Sequence, residues 1–339
     1  MNAGQCWEHA LAGSSWLQEH QQPDGSWVGL ANPHVNGFYK GAWAFLATGR
    51  PAAAHRLLKY VQQRFMTADG DFVPRGLRVH QVVHYPYVNA YLIAGSMLAA
   101  RYEVAVPALG FLMSQQDPQR GGFYSQPAAT GAPGRTDTMS TAAAGVACLA
   151  GGRLDCARHA AEYLAHIAAL QPVPGDRFHS AIESDGTLYR ESCEPEDLWW
   201  RIIGAGSPNQ CWYAVGYPFA FLLLASQATG EARYRSVAQW YFDYMARCVN
   251  PWNGPSSGKA GWGCAMLYRM SGETRYRDIA LHVAEHVAGM QEAEGNWVMA
   301  KVKGGAWQGW LDNPDFDVTA EYSLWLALIA SNILGRDAE

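Results

Sequence analysis

Residues 13–27 read GSSWLQEHQQPDGSW, and the spacing inside this string decides the fold. Trp16 and Leu17 are followed by Gln21, then Gly25, then Trp27. Residues 286–297, HVAGMQEAEGNW, repeat the spacing with His286, Val287, Gln291, Gly295 and Trp297. Residues 166–175, HIAALQPVPG, place Gln171 and Gly175 at the same interval, and residues 111–123, FLMSQQDPQRGGF, carry one extra residue before the glycine. Residues 60–72, YVQQRFMTADGDF, are a degenerate copy, and residues 241–254, YFDYMARCVNPWNG, a sixth without the glutamine. A period of a few tens of residues is the mark of a repeat built from helical hairpins. Ahead of each glutamine, apolar residues recur at i, i+3 and i+4, which predicts a helix. Gly with Asn or Asp then ends it. The glutamine amide is expected to bond backbone groups at neighbouring helix ends, and the aromatic to fold back over the helix.

Between these copies lie segments of a second kind: 37–48, 85–100, 140–151, 212–226, 258–270 and 318–334. They are apolar nearly all round and rich in Ala and Gly, as buried helices are. The alternating segments, such as AAAHRLLKYVQQRF and EARYRSVAQWYFDYMARC, carry charge on one face only. Six buried helices inside six amphipathic ones predict an all-α fold, an (α/α)6 toroid of six hairpins, with residues 1–339 as one domain. Residues 172–208 are too long for a plain connection and are expected to form a lid or excursion over the mouth of the ring.

Composition narrows the partners. Of 339 residues, 49% are hydrophobic and 16% charged, enough for a large core and too few charges for a disordered chain. Net charge is −5 and no basic stripe stands out, which argues against nucleic acid. Seven cysteines occur without a CxxC pair, so neither a zinc ribbon nor a disulfide scaffold is indicated. No apolar run reaches 18 residues and no secretory signal is visible. A cytoplasmic protein acting on a small-molecule substrate, without metal, cofactor or integral membrane segment, is the expectation.

The string from Trp16 to Trp27 resembles the QW repeat of squalene–hopene cyclases and related terpenoid cyclases, and Gly121-Gly122-Phe123 resembles protein prenyltransferase β subunits, which share the toroid. Residues 314–322, PDFDVTAEY, resemble the DxDDTA motif of the cyclases, with Asp315, Asp317, Thr319 and Ala320 matching and Val318 replacing the third aspartate. The resemblance implies an acid/base cyclase or isomerase that encloses a terpenoid-like substrate, with Asp317 as proton donor. Six-hairpin carbohydrate enzymes share the architecture and often carry GGFY, here Gly121 to Tyr124. A glycoside hydrolase, lyase or sugar epimerase is therefore the alternative, and a non-catalytic binding scaffold a third reading.

In such a ring the N-terminal ends of the inner helices converge on one mouth, so the residues just ahead of each inner helix are the candidates. Asp317 and Glu321 stand at i and i+4, where mutual repulsion in a dry cavity would keep one protonated while the helix N-terminus favours the ionised form; the sequence does not choose between the two, and Asp317 or Asp315 as a plain helix cap is the alternative. His84 and Asp137 are proton acceptors, Asp137 doubling as a possible helix cap. His80 lies four residues from His84, but Pro86 argues against helix at Tyr85. His34, Tyr39, His80, Tyr85, Tyr87, Asn209, Trp212, Trp262 and Asp315 are expected to contact substrate.

Overall fold

The computed structural model describes residues 1–76, 83–127, 134–172, 175–190, 201–303 and 313–338. The chain opens with α1 (Ala3–Glu19) and continues through α2 (Gly41–Ala47), α3 (Pro51–Phe65), α4 (Tyr85–Leu98) and α5 (Tyr102–Ser114). Then come α6 (Thr138–Ala150), α7 (Leu154–Leu170), α8 (Tyr213–Thr229) and α9 (Ala232–Ala246). The last are α10 (Gly258–Ser271), α11 (Thr274–Ala288), the short α12 (Met299–Lys303) and α13 (Asp315–Asp337).

The apolar helices α2, α4, α6, α8, α10 and α13 each pack on the next in that order, and α13 returns to α2. Six inner helices therefore close a ring. Each has an amphipathic outer partner: α2 with α3, α4 with α5, α6 with α7, α8 with α9, α10 with α11, and α13 with α1. The first helix thus completes the hairpin of the last, which fastens both ends of the chain. The outer helix α3 buries Ala53, Ala54, Leu57, Leu58, Val61 and Phe65 while His55, Lys59 and Gln63 face water, the one-sided stripe that a 3.6-residue period produces. The (α/α)6 toroid is the fold. By length and composition α13 alone among the described helices is long and apolar enough to cross a membrane, but it is mostly buried as an inner helix of the ring.

The repeated string is a turn that locks one hairpin to the next. Gly25, Gly70, Gly121 and Gly295 all have φ between +79° and +98°, a region that disfavours a side chain. A Cβ at these glycines would lie 2.8 Å or less from the carbonyl oxygens of Arg56, Pro107, His159 and Ala12. Those carbonyls belong to α3, α5, α7 and α1, so each turn seats on an outer helix around the ring. The glutamines bridge the same gap: Gln21 Nε2 donates to Ala53 O at 3.0 Å, Gln116 Nε2 to Cys156 O at 3.0 Å and Gln291 Nε2 to His9 O at 3.0 Å. Gln171 differs, donating to its own Ile167 O and to His179 O. The aromatics Trp27, Phe72, Phe123 and Trp297 are buried.

The described parts of residues 172–208 contain three short strands. β1 (Thr136–Asp137) pairs antiparallel with β3 (Ala181–Ile182), and β2 (Arg177–His179) with β4 (Ile202–Gly204). The excursion is thereby hydrogen-bonded to the residues that start α6. Residues 173, 174 and 191–200 of this segment lie outside the described residues.

Candidate functional site

Each inner helix begins with a polar or aromatic group directed at its ring neighbours. Lys40, one residue before α2, donates to Asp317 Oδ2 at 2.9 Å and Glu321 Oε2 at 2.8 Å, both on α13. Lys259, on the first turn of α10, reaches Glu321 Oε1 at 3.1 Å. The same ammonium stands 5.8 Å from the ring centre of Tyr213, the first residue of α8. Tyr213 meets the His84 ring edge-on at 5.8 Å between centroids. His84, which precedes α4, brings Nδ1 to 3.5 Å from Asp137 Oδ1, ahead of α6. This chain of contacts visits all six inner helices, so one cluster gathers their N-terminal ends.

The charged groups are nearly removed from water: Lys40 is 3% exposed, His84 4%, Asp137 1%, Lys259 2%, Asp317 4% and Glu321 5%. Burying ions on this scale is tolerated only when they are paired. Lys40 and Lys259 against Asp317 and Glu321 sum to zero charge. Burial pushes the Lys40 ammonium down, but Asp317 and Glu321 outweigh it and hold the group above its ordinary value. Asp317 and Glu321 share a face of α13, and Lys40, which the sequence reading did not include, stands between them as a common partner.

Asp137 carries a different environment. Its carboxylate accepts from Ser125 Oγ at 2.6 Å, Ser140 N at 2.7 Å and Ser140 Oγ at 2.7 Å. Burial pushes its pKa up, but His84 and then these hydroxyl and amide donors outweigh burial and hold it below the usual carboxylate range. Asp137 is also the N-cap of α6; the capping and the His84 contact are made by one side chain.

Beneath this layer the helical period places aromatics. Tyr87 and Tyr91 follow His84 down α4, Tyr217 follows Tyr213, Trp43 follows Lys40, Trp262 follows Lys259, and Trp325 follows Glu321. Lys259 Nζ is 4.9 Å from the Trp325 ring centre, 5.5 Å from Tyr87 and 5.6 Å from Tyr217. Tyr39 meets Tyr87 and Tyr91 edge-on, and Trp262 lies 6.2 Å from Trp43 and 5.7 Å from Trp325. Burial first, then the nearby carboxylates, pushes the Tyr39 phenol well above its ordinary value; burial does the same for Tyr87 and Tyr91. These phenols are neutral donors at any ordinary pH.

The structure thus brings together Asp317, Glu321, His84, Asp137, Tyr39, Tyr87 and, one turn deeper, Trp262. Others fall elsewhere. Tyr85 donates to Asp71 under the Arg75 guanidinium, in a network with Asn89. Helix α4 begins at Tyr85 with Pro86 in its first turn, contrary to the sequence expectation, because proline's missing N–H is not needed there. Asp315 accepts from Met299 N at 2.8 Å and so starts α12. Trp212 packs beside Gly254, and Asn209 is exposed in a turn with φ +56°. His34 is half-buried ahead of the 3₁₀ turn Val35–Gly37. His80 lies outside the described residues.

Sequence reasoning passed over Lys40 and Tyr213; it counted Lys259 among the candidate residues ahead of the inner helices without assigning it a specific role. The available signal was one lysine at the head of each of two otherwise largely apolar helices, in FYKGAWAF and SGKAGWG. A buried lysine without a buried acid is rare, so each implied a partner.

No family model and no curated protein matches this sequence. Solved structures do. A D-mannose isomerase aligns with TM-score 0.67 and 15% identity over 96% of both chains. The family 76 α-mannanase of Bacteroides thetaiotaomicron aligns with TM-score 0.67 and 14% identity over 100% of this chain and 98% of that one. The unsaturated glucuronyl hydrolase of Bacillus sp. GL1 aligns with TM-score 0.62 and 15% identity over 96% of both. These matches overturn the resemblance to terpenoid cyclases and prenyltransferases. The motifs that suggested it have structural work here: Asp315 caps α12, Thr319 Oγ1 accepts from Trp297 N at 3.0 Å, and the glutamines tie adjacent hairpins.

Proposed function

We propose that this chain is a carbohydrate-active enzyme that carries out acid/base chemistry on a sugar at the N-terminal mouth of the inner ring. The observation that carries this reading is the His84–Asp137 pair, with Asp137 held ionised by three hydroxyl and amide donors. A buried carboxylate beside Nδ1 orients the imidazole and leaves proton transfer to Nε2. Lys40, Asp317, Glu321, Lys259 and the phenols of Tyr39 and Tyr87 offer alternating donors and acceptors. A polyhydroxylated ring needs both, since each hydroxyl donates and accepts. An apolar substrate would add no hydrogen bond to this set.

Asp317 and Glu321 already accept from Lys40 and Lys259, which suits them to bind a substrate as acceptors. Proton transfer by a histidine fits isomerisation or epimerisation better than hydrolysis, which uses two carboxylates flanking the scissile bond. Hydrolysis is the second reading, supported by two carboxylates, Asp137 and Asp317, on separate inner helices. The excursion, paired to Thr136 and Asp137, would border the substrate as a specificity element.

The test is incubation with aldoses, ketoses and short mannans in deuterated water. Exchange of a carbon-bound hydrogen that is lost in His84→Asn and Asp137→Asn supports the isomerase reading. New reducing ends without exchange support hydrolysis. Turnover of any sugar that survives both substitutions in the folded protein refutes the assignment of the pair.

A further inference from the structure

The far end of the α6–α7 hairpin holds a pair of sulfurs that the proposed chemistry does not use. Cys148 is near the C-terminal end of α6 and Cys156 is the third residue of α7. Their Sγ atoms are 3.1 Å apart, with the Cys148 thiol donating to Cys156. A disulfide requires about 2.05 Å, so closure asks for a movement of roughly 1 Å. Cys156 in turn donates to Gln116 Oε1 at 2.9 Å.

The two thiols are chemically unequal. The Cys148 thiol stabilises a negative sulfur on Cys156, and so does the nearby Arg153; together they hold the Cys156 thiol below its ordinary value despite burial. The N-terminal turn of α7 acts in the same direction. The shared proton and burial push Cys148 the other way. Cys6 is a contrast: it donates to Leu326 O, and burial pushes its thiol up to about 12. The pair therefore has an attacking sulfur and a resolving sulfur already in contact.

We propose that Cys148 and Cys156 are a redox-active dithiol, oxidised to an intramolecular disulfide by a low-molecular-weight disulfide such as oxidised glutathione. Cys156 loses its proton to solvent and its thiolate attacks one glutathione sulfur; the sulfur–sulfur bond breaks and one glutathione leaves as thiolate. Cys148 gives up its proton and attacks Cys156 Sγ, displacing the second glutathione. Two protein thiols are oxidised and one glutathione disulfide becomes two thiols. The reaction removes the Cys156–Gln116 side-chain bond. Gln116 keeps its donations to Cys156 O and Gly121 O, so the hairpin turn persists and the ring stays folded.

Arg153 lies between the two cysteines, so trypsin separates them unless they are linked. The folded protein is incubated with oxidised glutathione, alkylated and digested. The expected product is the peptide pair straddling Arg153, joined and lighter by two hydrogens, and restored by dithiothreitol. Alkylation of the two cysteines falls together. In Cys148→Ser, glutathione is expected to remain on Cys156. Two cysteines that stay fully alkylatable, or a stable glutathione adduct on Cys156 of the unsubstituted protein with Cys148 free, overturns the proposal. The unsubstituted protein decides the outcome even if the variant does not fold.

Discussion

Replacing Lys40 by methionine tests whether the charge balance at the ring centre is what permits two acids to be buried there. The substitution roughly keeps the volume of the side chain and removes one ammonium. Asp317 loses its 2.9 Å partner, and Glu321 keeps Lys259 at 3.1 Å. Breaking a buried pair by removing one partner costs about 3–5 kcal/mol, a large part of the roughly 5–15 kcal/mol that holds a domain folded. For a chain of 339 residues that lowers Tm by roughly 4–7 °C. The cost falls if a carboxylate takes up a proton, so the folded-state pKa of that acid rises above its unfolded value of about 4. Such a group favours the folded state fully below the unfolded pKa, and the advantage is lost as pH rises through the folded value. The defect in Lys40→Met is therefore smaller at about pH 5 than at about pH 8, read from urea unfolding at both. Adding Asp317→Asn returns part of the loss, because the carboxylate that lost Lys40 goes with it. A loss below about 1 kcal/mol at pH 8, or an identical loss at the two pH values, refutes the reasoning.

Other outcomes follow from the same geometry. Asp137→Asn flattens the acid limb of the stability–pH curve: the depressed carboxylate contributes stability above its unfolded pKa of about 3.9 that is lost as pH falls through the folded value. In the unsubstituted protein the raised Lys40 contributes stability below an unfolded pKa of about 10.4 that is lost as pH rises through the folded value; alkaline denaturation of Lys40→Met lacks this step. Gly25→Ala destabilises by more than about 3 kcal/mol, since it combines φ +98° with a collision at Arg56 O. Gly29→Ala, at φ +78° in open space, costs only about 1–2 kcal/mol. Comparable Tm values for the two alanine variants would show that the turn does not seat on α3.

The toroid was legible because its repeat is written in hard constraints. A glycine at positive φ under another helix's backbone admits no other residue, and a helix with no polar face has only one place to go. Those features survive at Gly25, Gly70, Gly121 and Gly295 although the surrounding letters differ. The convergence of inner-helix starts followed from the same topology. The side chains that meet there did not, because the pairing of Lys40 with Asp317 spans 277 positions in sequence. Only ring closure makes them neighbours. Tyr85 illustrates the converse: adjacency to His84 suggested a shared site, yet the start of α4 turns its side chain toward Asp71 and Arg75.

The aromatic content misled the functional reading for a physical reason that the layers make visible. Trp43, Tyr91, Trp262 and Trp325 lie one or two helical turns below the mouth, where they pack on each other. They resemble the lining of a pocket for a carbocation only if the groups above them are disregarded. The ammonium of Lys259 already occupies the faces of Tyr87, Tyr217 and Trp325, which leaves those rings little attraction for a second cation. Under the function proposed above, a substrate would meet instead the layer of Lys40, His84, Asp137, Lys259, Asp317 and Glu321, whose hydrogen-bonding capacity a hydroxyl-rich ring can exchange for its own water and a hydrocarbon cannot. Two lysines at the heads of apolar helices therefore weigh more in the choice of substrate class than the many aromatic residues beneath them.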